Sequence, residues 1–152
     1  MLDLAAGNGR HTRLLIDRGY DVHAVDREIA LLAPLASQHC EVEAADLETG
    51  DAWNLGNDYD GIIVTNYLFR PLLSAIARAL APGGILIYET YAQGNERFGR
   101  PRNPDFLLRP GELLRAFATL TVVAFEEGDV TLPRRATLQR IVAVNGPVGR
   151  LP

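Results

Sequence analysis

The stretch Met1–Thr12, MLDLAAGNGRHT, decides how the chain is read: a short apolar strand, a glycine-rich turn, then the start of a helix. Along a strand side chains alternate, so Leu2 and Leu4 face one way and Asp3 the other, delivering a carboxylate beside the turn. Gly7 and Gly9 permit positive φ and let a ligand lie against the backbone, and the following helix offers free N–H groups. A spaced glycine pair after a strand also opens dinucleotide-binding folds, so the turn alone leaves two nucleotide chemistries open. Three details separate them. The third fingerprint position, where a dinucleotide fold packs helix on strand through a small residue, is Thr12. Asp3 beside a pyrophosphate is unfavourable without an intervening cation, whereas it suits a ligand carrying an ammonium group.

The arrangement resembles motif I of the class I methyltransferases, D/E-x-G-x-G-x-G, with Asp3, Ala5, Gly7 and Gly9 in register and Asn8 between the glycines. Ala5 departs from the pattern at its first glycine, which is tolerable if φ there stays negative. The resemblance implies S-adenosylmethionine as cofactor, with an acceptor methylated by its sulfonium methyl group. Asp3, Ala5, Gly7, Asn8 and Gly9 would then form the first part of the cofactor site.

Downstream, Arg10 to Arg18 reads as a short helix stopped by Gly19, and Tyr20 to Asp26 as a second strand. Asp26 lies seventeen residues beyond Gly9, near the spacing at which an acid meets ribose hydroxyls; a carboxylate accepts both hydroxyl protons. Arg27 follows it on the same rim. Asp26 also suits the N-cap of a helix from Glu28 to Ser37, which Pro34 should bend or shorten. Val42 to Asp46 reads as a third strand. The resemblance implies that Asp46 accepts from the adenine amino group and that the Leu47 backbone lies at the ring edge. Trp53 is expected to fold over the sheet edge.

Tyr59 to Leu68 contains the apolar run Ile62–Val64 of a central parallel strand, and its end presents Thr65, Asn66 and Tyr67 to the crevice where open α/β sheets bind ligands. Asn66 is assigned to the cofactor and Tyr67 to the acceptor. Pro71 opens a helix to Leu80, APGG stops it, and Ile85 to Tyr88 is a fifth strand; ALAPGGILIYE resembles the same segment of class I methyltransferases. A helix is expected from Gly111 to Phe117, and Leu120–Phe125 with Thr137–Val144 reads as an antiparallel pair at one sheet edge.

Between them, Glu89 to Pro110 carries Arg97, Arg100, Arg102 and Arg109, and a loop of that length after a strand end is a candidate recognition element. Tyr91, Arg97 and Arg100 are assigned to the acceptor, an anionic or electron-rich small molecule. The stretch ETYAQGNERFGRPRNPDFLLRPGEL is most similar to the tellurite-resistance-related bacterial group of that family. The expected fold is Rossmann-like α/β: a mostly parallel sheet with a C-terminal antiparallel pair, one domain over residues 1–152, lacking the usual N-terminal helices. The implied chemistry requires alignment more than acid–base work, so no residue is assigned as an obligate catalyst; His11, Tyr88 and Tyr91 are candidate bases or positioning groups.

Composition bounds the alternatives. At 152 residues and 47% hydrophobic, the chain fits one globular domain. A formal charge of -4 disfavours nonspecific nucleic-acid binding, and TNYL is not the N/D-P-P-Y motif of amino-directed enzymes. No apolar run is long enough to cross a bilayer. Cys40 is alone, excluding an internal disulfide and fitting a reducing cytoplasm, and the three histidines show no metal-ligand spacing with it. Two other classes stay open: a nicotinamide-dependent (NAD) oxidoreductase, and a noncatalytic nucleoside-binding or assembly module.

Overall fold

The computed structural model describes residues 1–49 and 55–148. Its frame is a seven-stranded sheet: β1 (Leu2–Leu4), β2 (Val22–Asp26), β3 (Cys40–Ala44), β4 (Tyr59–Thr65), β5 (Leu80–Tyr91), β6 (Thr121–Val130) and β7 (Ala136–Val144), in the spatial order β3-β2-β1-β4-β5-β7-β6. The first five pair in parallel, and β7 runs antiparallel between β5 and β6. This is the expected mostly parallel sheet with a reversed last strand. The order turns back on itself beside β1, whose register places Leu4 against Val25 of β2 and Val64 of β4. Two adjacent crossover loops therefore diverge there, opening a crevice at the carboxyl ends of the strands.

Alternation sorts the core into two faces. Leu2, Leu4, Ile62, Val64, Leu86 and Tyr88 join Ile76 of helix α2 (Leu73–Ala79) and Leu113 and Phe117 at helix α3 (Glu112–Ala116). The opposite face carries Ala24, Ile63 and Leu15 of helix α1 (Arg10–Asp17). Helix α1 covers the part of that face from β2 to β4, and Ile85 and Ile87 of β5 remain 44% and 42% exposed.

Several expected elements shift. The segment from Glu28 to Ser37 is not a helix but turns around a single 3₁₀ turn, Ala33–Leu35. Pro34 supplies no N–H, and the Asp26 carboxylate bonds the Glu28 N–H at 2.9 Å in a local turn that competes with helix. The third strand begins at Cys40 and ends at Ala44, so Asp46 lies in the loop beyond it. APGG lies inside β5, as a bulge between Leu80, paired with Tyr59, and Ile85, paired with Gly61. The first residues of the 89–110 stretch complete β5, an isolated bridge joins Ala92 to Leu108, and Leu107 and Leu108 are buried. Much of that stretch is thus packed scaffold. Trp53 lies outside the described residues.

Arg70 ties this stretch down. Its Nε donates to Glu112 at 2.7 Å, Nη1 to the Asp105 carbonyl at 2.7 Å and Nη2 to the Leu107 carbonyl at 2.9 Å. Partial burial pushes the Glu112 pKa up, but hydrogen bonds from Arg70 and from the Arg109 N–H outweigh it and hold the carboxyl below its ordinary value. A depressed carboxylate stabilises the fold above its unfolded pKa, and that contribution fades as pH falls through the folded value. Arg70→Met is expected to cost about 2–3 kcal/mol at neutral pH in denaturant titrations, with the deficit narrowing in acid. A deficit independent of pH contradicts this role for the pair.

Candidate functional site

The turn after β1 alternates left-handed residues: Ala5 at φ 56°, Gly7 at 58° and Gly9 at 75°. Ala5 does not keep the negative φ expected of it. The chain adopts the geometry of a glycine with an alanine, a conformation that costs an L-residue roughly 1–2 kcal/mol. At Gly9 space is limiting as well, since a Cβ would approach Leu35 Cδ1 to 2.7 Å and Leu32 Cδ2 to 2.9 Å. The loop after β2 is packed onto the turn there.

Asp26 fastens the two loops together. Its Oδ2 accepts the Gly7 N–H at 2.8 Å and its Oδ1 accepts the Glu28 N–H at 2.9 Å, while the Ala6 N–H donates to the Val25 carbonyl at 3.0 Å. Beside it lies a cavity of about 210 Å³ lined by Ala5, Asp26, Arg27, Asp46, Leu47 and Glu48, with Ala45 and Tyr67 completing the wall. Asp46 Oδ1 accepts the Glu48 N–H at 3.0 Å, turning the chain at the far rim. The Tyr67 hydroxyl is buried with no hydrogen-bond partner among the described residues. Burial, then the charges of Glu48, Asp46 and Asp26, push its pKa well up, so it stays a neutral donor.

Asp3 does not line this cavity. It is 2% exposed, and its Oδ2 accepts the hydroxyl of fully buried Thr12 at 2.6 Å. The side of β1 opposite Leu2 and Leu4 is the one α1 covers, so alternation sends the carboxylate under the helix rather than into the crevice. Burial pushes its pKa up, with the Thr12 bond opposing. The three expected acids thus divide, Asp26 and Asp46 in one cavity and Asp3 beneath the turn. Asn8 is exposed on the rim, its carbonyl accepting from Arg13.

A second cleft, about 670 Å³, opens on the β5 side of the crevice, with Asn66, Tyr91, Arg100, Arg102, Phe106 and Arg134 among its walls. Asn66 leaves β4 in the left-handed region, φ 55°, which its short amide side chain tolerates, and donates its N–H to the Glu89 carbonyl at 2.9 Å. Tyr91 and Arg100 share this cleft as expected, but Arg97 does not. Its guanidinium bonds Asp129 of β6 at 2.8 and 3.0 Å and lies over the Phe98 ring. Tyr67 belongs to the acidic cavity, not to this cleft. Tyr88 is sealed in the core at 1% exposure, its hydroxyl donating to the Tyr67 carbonyl at 2.9 Å, and burial pushes its pKa far above the ordinary phenol value; it is not a base.

His11 faces Thr65, with Nδ1 3.4 Å from its Oγ1, and burial first, then Arg10, lowers its pKa. The sequence reading missed Glu48 in the first cavity and Arg134 in the second; the Pro133–Arg134–Arg135 run between β6 and β7 was the available signal. No described helix is long and apolar enough to cross a membrane, and no group of three His, Cys, Asp or Glu among the described residues is placed to hold a metal ion.

An acidic cavity at the strand tips beside a glycine turn, with a second cleft on the β5 side, is the arrangement the expected methyltransferase fold provides. Residues 1–84 match the family described as methyltransferase domain, and the chain belongs to that family. Among solved structures, TehB from Haemophilus influenzae superposes with a TM-score of 0.75 at 17% identity, over 94% of this chain and 57% of that one. The chain therefore spans little more than half the length of that protein. The 1,6-didemethyltoxoflavin-N1-methyltransferase of Burkholderia thailandensis, with bound S-adenosylhomocysteine, gives 0.67 at 24% identity, over 96% and 70% of the two chains. The [4+2]-cyclase SpnF gives 0.71 at 16%, over 97% and 74%, so the fold also serves a different reaction. A comparison with curated proteins finds no match.

The residues present fit the cofactor: Asp26 has acceptor capacity left for a diol, the Tyr67 hydroxyl is buried without a partner, and Leu47 supplies an apolar wall. Because Ala5 is held at φ 56°, Ala5→Gly is expected to stabilise the chain by about 0.5–1 kcal/mol, the relieved strain exceeding the added unfolded-state entropy. Thermal denaturation should show a midpoint roughly 1–4 °C higher; a lower midpoint means the turn is not strained there.

Proposed function

We propose that residues 1–152 form one domain that binds S-adenosylmethionine in the crevice and transfers its methyl group to a small-molecule acceptor. The observation that carries this reading is the pairing of Asp26 and Asp46 across one cavity, joined through the β4 end to a second cleft. Asp26 takes the ribose hydroxyls, Asp46 and the Leu47 backbone take the adenine edge, and Tyr67 donates from the wall. The turn Ala5–Gly9 and Asn66 border the methionine part. Arg27 lies over the nucleoside as an amphipathic cover.

When bound, the cofactor supplies a methyl group on a positively charged sulfur, whose displacement by an acceptor lone pair returns the bonding electrons to sulfur and leaves S-adenosylhomocysteine. The chain's own contribution is to align the acceptor with that methyl group and to exclude water. Asn66, on the wall of the second cleft and next in sequence to Tyr67 of the acidic cavity, is the positioning residue. His11, whose Nδ1 lies 3.4 Å from Thr65 Oγ1 at the end of β4, is the candidate base, and its lowered pKa favours the neutral form that accepts a proton. A cleft of about 670 Å³ suits a small molecule, and the related Burkholderia enzyme acts on one. With one cysteine these residues form no internal disulfide, and we assign them to a reducing compartment, the cytoplasm.

Calorimetry with S-adenosylhomocysteine tests the reading. The wild-type chain should bind it saturably, and Asp26→Ala should weaken binding by about tenfold to a hundredfold, the loss of a charge-assisted pair of bonds. Binding of NADH in preference to S-adenosylhomocysteine supports an oxidoreductase instead, and equal affinity of the Asp26 variant removes the assigned role.

A further inference from the structure

The chain has fifteen arginines and no lysine, and most of the arginines around the second cleft are engaged. Arg70 holds Glu112, Arg97 holds Asp129, Arg140 holds Glu89 and Glu126, and Arg135 lies over the Phe98 ring at 4.8 Å. Arg100, Arg102 and Arg134 differ. Among the described residues none of the three forms an ion pair, and no carboxylate lines the cleft they share. In a protein of formal charge -4 this places three uncompensated cations on one concavity.

The site is partly organised. Arg134 donates to the Tyr91 hydroxyl, and its guanidinium lies 5.6 Å from the centre of the Tyr91 ring. Tyr91 itself is buried, so Arg134 is anchored on a residue of β5, and its guanidinium has further N–H donors beyond the one given to Tyr91. Arg100 and Arg102 flank Pro101 in the same cleft, and exposed Phe106 adds an apolar face to its lining. Guanidinium forks match carboxylate and phosphate oxygens, and the cleft meets the β4 end at Asn66.

We propose that Arg100, Arg102 and Arg134 are the specificity-determining end of the acceptor site, and that the acceptor is an organic acid presenting a carboxylate or phosphate group to them, its apolar body on Phe106 and Tyr91. This rests on the methyl-transfer reading above for the word acceptor, while the anion site stands on its own geometry. The nucleophilic atom would lie at the opposite end of the molecule, toward Asn66.

The test titrates benzoate, phenyl phosphate and the neutral isostere benzamide into the chain saturated with S-adenosylhomocysteine. The anions should bind at least about tenfold more tightly than benzamide, with affinity falling as salt rises. Whichever anion binds more tightly identifies the headgroup as carboxylate or phosphate. Arg102→Gln and Arg134→Gln should each erase most of that preference while leaving the thermal midpoint and the S-adenosylhomocysteine affinity unchanged, since both side chains are exposed. Benzamide binding as well as the anions, or an anion preference that survives both substitutions, overturns the proposal. The two readings fail separately: anion preference without S-adenosylhomocysteine binding keeps the anion site and removes methyl transfer, and the reverse keeps methyl transfer and removes the anion site.

Discussion

The site depends on one carboxylate. Asp26, at the tip of β2, accepts an N–H from the turn after β1 and another from the loop after β2, so two crossovers that diverge at the switch in strand order are held at a fixed separation. Charge-assisted bonds of this kind are among the stronger polar contacts a backbone can make. They are needed here because the turn stores strain: Ala5, Gly7 and Gly9 are all left-handed, and only the glycines adopt that region without steric cost. Gly9 then allows the leucines of the second loop to close on the first. The crevice is thereby shaped before any ligand arrives.

From that constraint the charges separate along the crevice. Asp26, Asp46 and Glu48 border the β2–β3 side, with Arg27 as the nearby cation, whereas the β5 side carries Arg100, Arg102 and Arg134 without a lining acid. Asn66, the residue after β4, leaves the extended region and lines the β5-side cleft, while its neighbour Tyr67 lines the acidic cavity. A hydroxyl-bearing nucleoside and an anionic partner are thus offered opposite ends of one surface. Opposite charges that would pair off within a single pocket are kept apart by the width of β1 and β4.

Much of this was legible in the sequence, for physical reasons. Alternating apolar residues and the Ile62–Val64 run specify buried parallel strands, and Gly19 ends α1 at its left-handed position. Asp26 ends β2 where open sheets bind ligands and could be found by its spacing from Gly9, whereas Asp46, in the loop after β3, was reached through the family resemblance. What sequence left hidden depended on tertiary partners. Asp3 looked like a ligand because its strand faces were known but the helix covering one of them was not; Thr12, read only as too large for a dinucleotide fold, turned out to be its hydrogen-bond partner. Arg97 and Arg100 are indistinguishable in a basic loop until Asp129, thirty-two residues on in the sequence, claims the former. Pro34 weakens a helix by a known mechanism, yet whether bending or loss follows depends on the competing Asp26–Glu28 turn.

The most direct measurement is a crystal structure of the chain with S-adenosylhomocysteine. The account predicts the ribose diol on Asp26, with the Gly7 and Glu28 bonds to that carboxylate retained, and the adenine between Leu47 and Tyr67. A nucleoside seated elsewhere, or an Asp26 side chain turned away from it, contradicts the account.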